Sequence, residues 1–364
     1  MSKLPRRKEL DEKTQKNMLT RTITGIVLAL IAIPAVIVGH SIFVFLLAVA
    51  LIIATHEFIN ARQGRDFSVL LQIFIYTMIF SFVFWVYIRN NIEANIRNGF
   101  DSLDFREWSF AIGFSDIVIS TMGVAVLIFI LFAVTIFREN VNMSDISYLF
   151  MMVMFIGISF QSFLFLRFFP YTTFRSFNEV FGTPLMHGAT ALTDNNYLQG
   201  SLLIIYIVIG TIFNDIGAYF VGVFFGKTKL NPRISPNKTW EGFWGGVLIS
   251  FIVSFVFGIT VAALNYPILP WMTVDGWYWI LILSVFMPFM ANLGDFSFSM
   301  IKREYNIKDY GTILKGMGGL LDRIDSLLAV GFGMAILIIL ISNIMLTGNP
   351  FAIHRPEGLV GLLL

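Results

Sequence analysis

Residues 299–326 read SMIKREYNIKDYGTILKGMGGLLDRIDS. Lys302, Arg303, Lys308, Asp309, Lys315, Asp322, Arg323 and Asp325 all fall in this stretch, between two long apolar runs. Ionised groups are costly inside a bilayer, so spans exclude them unless they have a use. The stretch therefore marks a loop at a membrane surface, and the runs beside it mark spans. Cations suit phosphates, carboxylates suit metal ions, and glycines let a backbone approach closely. A phosphate-bearing ligand at that surface is the implied occupant.

The whole chain supports a membrane reading. It is 57% hydrophobic and 13% charged, where soluble domains carry about twice that charged fraction. The absence of Cys excludes disulfides, thiolate zinc and cysteine nucleophiles. His40, His56, His187 and His354 form no ligand pair at helical spacing, which argues against a zinc hydrolase. Nine apolar runs approach the ~20 residues that a bilayer core requires. They lie at 22–39, 41–58, 68–88, 113–137, 146–169, 201–225, 241–264, 277–298 and 321–346. The expected fold is an all-α polytopic membrane protein with about nine transmembrane helices. The first run has no cleavage site after it and reads as a retained anchor, and the first two, nearly fused at Gly39-His40, read as a tight hairpin.

Lys and Arg set the orientation. With the N-terminus cytoplasmic, only Arg89, Arg97, Arg106, Arg167, Arg175 and Arg355 of the 25 fall on the outer side. This places the 226–241 loop and the 299–326 stretch on the same, cytoplasmic, face. The expected divisions are a basic tail at 1–21, membrane regions at 22–110 and 111–200, a catalytic membrane region at 201–346 and a tail at 347–364. Segments 89–110 and 170–200 read as solvated outer connectors. The basic tail reads as an orientation signal touching anionic lipid, with no nucleic acid as partner.

Four acidic positions stand out. Asp215, after Asn214, lies roughly 16 Å along its run from Lys227. It is either a packing hydrogen bond or the wall of a polar cavity inside the membrane. Asn292, Asp295 and Ser299 share one helix face, which suits metal coordination or a structural ion pair. Asp322 and Asp325 also share a face. They either complement the dipole of the ninth helix or, with Gly316, Gly318 and Gly319 feeding its start, flank an anion site. Carboxylates beside an anion imply a bridging divalent cation, with Mg²⁺ the default.

The second loop, Phe225–Gly242, reads FGKTKLNPRISPNKTWEG and carries Lys227, Lys229, Arg233, Ser235 and Lys238. It departs from a phosphate-binding P-loop, since Val221 stands where the first glycine belongs and a membrane helix precedes it. Ser235-Pro236 reads as a turn, Asn237 or Thr239 as a helix cap, and Gly222, Gly226, Gly242 and Gly246 as small-residue helix packing. Its cations serve either topology or phosphate.

These motifs resemble the CDP-diacylglycerol synthase (phosphatidate cytidylyltransferase) family. The resemblance rests on Ser299, Lys302, Arg303, Lys308, Asp309, Gly318, Gly319, Leu321, Asp322, Arg323, Asp325 and Ser326. Asn214-Asp215 with Gly217-Ala218-Tyr219, and Ser235-Pro236 with Lys238 to Gly242, also look like family motifs. It is strong over residues ~205–330; before them the chain is similar only in its apolar spans. It implies CTP and phosphatidic acid as substrates, CDP-diacylglycerol and pyrophosphate as products, and a homodimer; Phe-, Ile- and Asn-rich usage without Cys points to a bacterial cell membrane, and the Lys/Arg count puts the site on its cytoplasmic face. The resemblance further implies one or two Mg²⁺ ions on Asp295, Asp322 and Asp325, a monovalent cation being admitted beside them. Lys302, Arg303 and Arg323 join these carboxylates as catalytic residues. Asn214, Asp215, Ser235, Lys238, Lys308, Asp309, Gly318 and Gly319 then bind substrate.

One position departs. The family pattern has Pro-Gly-His-Gly-Gly where this chain has Lys315-Gly316-Met317-Gly318-Gly319. Met317 moves no proton and donates no strong hydrogen bond. The attacking phosphate oxygen is already ionised, however, and phosphoryl transfer rests mainly on positioning and charge. The competing classes are a lipid-phosphate transporter or flippase, a CTP-dependent kinase of a membrane alcohol, and an inactive paralogue.

Overall fold

The computed structural model describes residues 12–62, 67–97, 114–138, 141–181, 197–314 and 316–347. Expectations for 1–11, 98–113, 182–196 and 348–364, and for Lys315, lie outside them. Nine helices follow one another in the described residues: α1 (Glu12–Val38), α2 (His40–Asn60), α3 (Val69–Arg97), α4 (Phe114–Phe137), α5 (Met143–Phe181), α6 (Tyr197–Phe225), α7 (Trp240–Ala263), α8 (Trp277–Glu304) and α9 (Leu321–Thr347). Each apolar run falls on one of them.

Six helices hold stretches long and apolar enough to cross a membrane: Ser41–Asn60, Met143–Pro170, Gly200–Phe225, Trp240–Ala263, Trp277–Glu304 and Leu321–Met345. The apolar stretches of α1, α3 and α4 are shorter: Thr22–Val38, Val69–Trp85 and Met122–Phe137. The chain is an integral membrane protein. Its outer surface agrees, for Leu70 and Phe129 stand 75% and 74% exposed, as side chains covered by lipid do.

Three expectations need correction. Residues 89–97 and 170–181, read as connectors, continue α3 and α5. Hydropathy marks where a helix meets lipid, but helical hydrogen bonding runs on into polar sequence. The α-only architecture also gives way at one place. Strands β1 (Lys229–Asn231) and β2 (Ser235–Thr239) form an antiparallel ribbon between α6 and α7, pairing Lys229 with Thr239 and Asn231 with Ser235. Its bend is Pro232–Ile234, so Ser235-Pro236, read as a turn, opens β2. Proline is tolerated there because a two-stranded ribbon has only edges.

Between α1 and α2 stands only Gly39, at φ +69°. α5 is central, packing against α2, α3, α4, α6 and α9. Its Leu149, Met152, Ile156, Phe160 and Leu164 recur at three- and four-residue spacing and are fully buried. α6 and α7 approach backbone to backbone. A Cβ on Gly242 would lie 2.7 Å from the Ala218 carbonyl oxygen, and one on Gly246 2.7 Å from that of Asn214. Small-residue seams of this kind draw helices together where lipid supplies no hydrophobic drive. α7 leads to α8 and α8 to α9, so the ends of these helices frame one site.

Candidate active site

The first wall of the site is the ribbon between α6 and α7. Thr239 caps α7, its Oγ1 accepting from the Gly242 amide at 3.1 Å. Glu241, in the first turn, accepts from the amides of Lys227 and Thr228 and from Thr228 Oγ1. The bend after α6 is thus tied to the start of α7, and β2 carries Lys238 across to α8. There Lys238 Nζ pairs with Asp295 Oδ2 and lies 4.5 Å from the centroid of the Phe296 ring. Ser299 Oγ donates to the other oxygen of Asp295 at 3.3 Å. Arg303, one helical stretch further, donates from Nε to the Ile234 carbonyl at 3.2 Å. The 226–241 loop and the end of α8 therefore meet.

The second wall is the loop from Tyr305 to Leu320. Asp322, in the first turn of α9, gathers it. Its Oδ1 takes Lys302 Nζ at 2.9 Å, and its Oδ2 takes the amides of Tyr310 at 2.8 Å and Gly319 at 2.9 Å. Tyr310 adds a bond from its hydroxyl to the Phe298 carbonyl, and burial pushes its phenol upward, so it remains a donor. Gly316 at φ +76° and Gly318 at φ +91° make the tight return in which Leu314 N donates to the Gly318 carbonyl. Arg323 grips that return, donating from Nε and Nη2 to the Met317 carbonyl at 2.8 and 2.5 Å.

Between the walls stand the remaining carboxylates. Asp215 lies within electrostatic reach of Asp295 and Lys238, and Asp325 within reach of Asp295, Lys302 and Asp215. Below them Asn292 Nδ2 donates to Asn214 Oδ1 at 3.0 Å, and Asn214 Nδ2 reaches Asp215 Oδ1 at 3.4 Å. One surface thus holds carboxylates from α6, α8 and α9 and cations from β2, α8 and α9. Such a surface suits a polyphosphate held through cations, with metal ions between it and the carboxylates.

The sequence model of the cytidylyltransferase family matches residues 19–341. The chain belongs to the cytidylyltransferase family. Among its relatives, the phosphatidate cytidylyltransferase of Staphylococcus epidermidis is 29% identical over 317 residues, covering 86% of this chain and 96% of the relative. That of Bacillus subtilis is 46% identical over 116 residues, 32% of this chain and 39% of the relative. That of Haemophilus influenzae is 38% identical over 150 residues, 40% of this chain and 50% of the relative. The matched stretch thus spans half or less of the last two and nearly all of the first.

In this family member, the residues expected at the site fall into three groups. Lys238 pairs with Asp295 and Lys302 with Asp322, Asp215 and Asp325 lie within electrostatic reach of these pairs, and Asn214 bonds Asp215 and Asn292. Arg303 and Arg323 are exposed at the rim, each bound to a backbone carbonyl. Lys308 and Asp309 are exposed on the loop surface, and Ser235 is half-buried at the start of β2.

The expected open anion site at the start of α9 needs correction. The amide of Gly319 is taken by Asp322, and those of Leu320 and Leu321 by Glu57 Oε1 and Oε2, both at 2.8 Å. The glycines make room for the protein's own carboxylates. Glu57, near the end of α2, was missed. The signal lay in the rule that singled out Asp215 and Asp295, because Glu57 too is a charge at the end of an apolar run.

Proposed function

We propose that this chain transfers the cytidylyl group of CTP to phosphatidic acid, giving CDP-diacylglycerol and pyrophosphate for phospholipid synthesis. The observation carrying this reading is the meeting of the two charged segments in a membrane-embedded family member: Lys238 of β2 on Asp295 of α8, beside Lys302 on Asp322 of α9. One substrate is water-soluble and the other is held in the bilayer, so the site must straddle the surface. All nine helices span, the N-terminus and the site face the cytoplasm of a bacterial cell, and two copies pair as a homodimer. The 19 cytoplasmic Lys and Arg support the orientation.

In the transfer, an oxygen of the phosphatidate phosphate attacks the α-phosphorus of CTP and pyrophosphate leaves. Arg303, Arg323 and Lys308, at the rim, receive the nucleotide phosphates from water, with Ser235, Asp309, Gly318 and Gly319 shaping that entrance. Lys238 and Lys302 hold positive charge over the reacting phosphates. Asn214 and Asp215 line the deeper end, where the lipid headgroup enters and its tails leave sideways.

Mg²⁺ fits the donor chemistry present. The carboxylates of Asp215, Asp295 and Asp325 interact as like charges, and hard oxygen donors suit this ion. No three acidic or imidazole groups converge as a complete cage among the described residues. Mg²⁺ needs no such cage, since one or two carboxylates with substrate phosphates and water complete its shell. Asp295 and Asp325 would hold it. Asp322 was expected to share that role, but its oxygens already take three donors, and its part is to shape the loop. When bound, the ion neutralises charge developing on the phosphates.

The test mixes detergent-solubilised protein, CTP and phosphatidic acid with and without Mg²⁺, and measures pyrophosphate release and product mass. Mg²⁺-dependent CDP-diacylglycerol is expected. Asp295→Asn should lower kcat by about 10²–10³-fold, as removing one charge-stabilising group does. CDP as product would instead mark a kinase, and no turnover would overturn the reading.

A further inference from the structure

Glu57 is 2% exposed, an unusual state for a glutamate. Its two oxygens accept from two successive amides, Leu320 and Leu321, across 263 and 264 residues of sequence. Two glycines seat it. A Cβ on Gly319 would lie 2.6 Å from Oε2, and one on Gly311 2.7 Å from Oε1. An alanine at either position would push the carboxylate out.

The post that carries Glu57 is itself held. Tyr148 of α5 donates from its hydroxyl to the Phe58 carbonyl at 2.6 Å. Arg62, two residues beyond α2, pairs with the buried Asp145 and lies 5.6 Å from the Tyr305 ring centroid. Tyr148 meets the same Tyr305 ring edge-on at 4.8 Å. The end of α2 is thereby clamped to the start of α5 and to the residue where α8 ends.

What Glu57 holds is the turn that carries the chemistry. Asp322 takes the amide of Gly319, the residue just before those Glu57 takes. The amides 319, 320 and 321 are thus shared between a carboxylate from α9 itself and one from α2. The same turn of α9 bears Asp322 on Lys302, Arg323 on the Met317 carbonyl, and Asp325 within electrostatic reach of Asp295. Helix-terminal amides carry partial positive charge, so a buried anion there is favourable in place. A neutral or shorter side chain leaves at least one of those amides poorly partnered, and the turn shifts to find a partner.

We infer that Glu57 is a positioning residue for the cytidylyl transfer: its carboxylate fixes the first turn of α9 and the Gly311–Leu320 loop against α2, so that Arg323 and Asp325 face the substrates while Asp322 holds the loop. This inference rests on the transfer reading above. Glu57 touches no substrate, and its effect passes through the loop. A misplacement of about 1 Å in such a frame costs about 10²-fold in turnover.

The experiment uses the full chain in detergent with CTP and phosphatidic acid, comparing wild type, Glu57→Gln, Glu57→Asp and Glu57→Ala, with the exposed neighbour change His56→Gln as control. In Glu57→Gln one oxygen can still accept, but the amide nitrogen faces a backbone N–H. Its kcat should fall by about 10²-fold while KM for CTP moves little, as expected for groups acting only in the transition state. Glu57→Asp should recover part of that loss and Glu57→Ala none, while His56→Gln should match wild type. Amide hydrogen exchange should quicken over 311–322 and stay unchanged over α7. If Glu57→Gln does not purify folded, Glu57→Asp carries both readouts.

Wild-type kcat in Glu57→Gln, or unchanged exchange at Leu320 and Leu321, overturns the inference. Exchange that quickens throughout the molecule also overturns it, by showing a general staple. If wild type itself releases no pyrophosphate, the transfer reading fails, and the exchange data alone decide whether Glu57 sets the loop.

Discussion

The two loops that wall the site are held in opposite ways. The ribbon between α6 and α7 is fastened by its immediate neighbours: Thr239 and Glu241, at the start of the helix that follows, bind the backbone on either side of it. The loop between α8 and α9 is fastened from afar, by Glu57 of α2, with Asp322 closing it from α9. A locally tied loop travels with its helix pair. One tied to a remote helix is right only when the whole bundle is right, so the α9 carboxylates depend on the amino-terminal half even though every group proposed to act in the transfer lies after residue 200.

The comparison is broken most directly at Asp322. Asp322→Asn leaves Lys302 without its partner and replaces one acceptor by a donor, so the far-tied loop should open. We expect turnover to fall by about 10²-fold or more, by the same loss of frame. Near-wild-type rates from purified protein would remove Asp322 from the site.

The local tie should matter less. Glu241→Gln keeps one acceptor for the Lys227 and Thr228 amides, and Thr239 still caps α7. A loss of about tenfold or less is expected, since one neutral hydrogen bond contributes roughly 1 kcal/mol. The loss should appear chiefly in KM for CTP, because the rim moves and the carboxylates stay. A fall as deep as that of Asp322→Asn would erase the distinction between the loops.

The smallest effect belongs to Met317. Arg323 binds its main-chain carbonyl, which any residue supplies. Its side-chain methyl lies 4.0 Å from where a Cβ on Gly25 of α1 would stand. Met317→His should therefore stay within about threefold of wild type, the range of a substitution that breaks no named contact. A gain of tenfold or more would give the imidazole a task that the backbone does not perform.

Legibility in the sequence follows the same division. All nine apolar runs lie on helices because hydrophobic length is a local quantity. Thr239 as a cap and the Gly242/Gly246 seam were also readable, since each depends on residues within a turn or two. The ribbon was not, because Lys, Asn and Pro are poor strand formers and its pairing comes from the loop being pinned at both ends. The helical extensions of α3 and α5 were missed because polar residues end a hydropathy signal before they end a helix. Of the site, two pairings join residues that the sequence singled out, Lys238 with Asp295 and Lys302 with Asp322. What each carboxylate binds was hidden, because the start of α9 looks like an open anion site until a glutamate far upstream is folded onto it.

The sequence separation of 263 from Glu57 to Leu320 also sets a timetable. A ribosome adds about 5–20 residues per second, so α2 is made roughly 13–50 s before its partner amides exist. During that interval the carboxylate has no helix start to cap and must be kept in water or protonated at the lipid boundary. α9 thus closes a contact opened by α2, and a chain interrupted before α9 carries α2 with that glutamate unsatisfied.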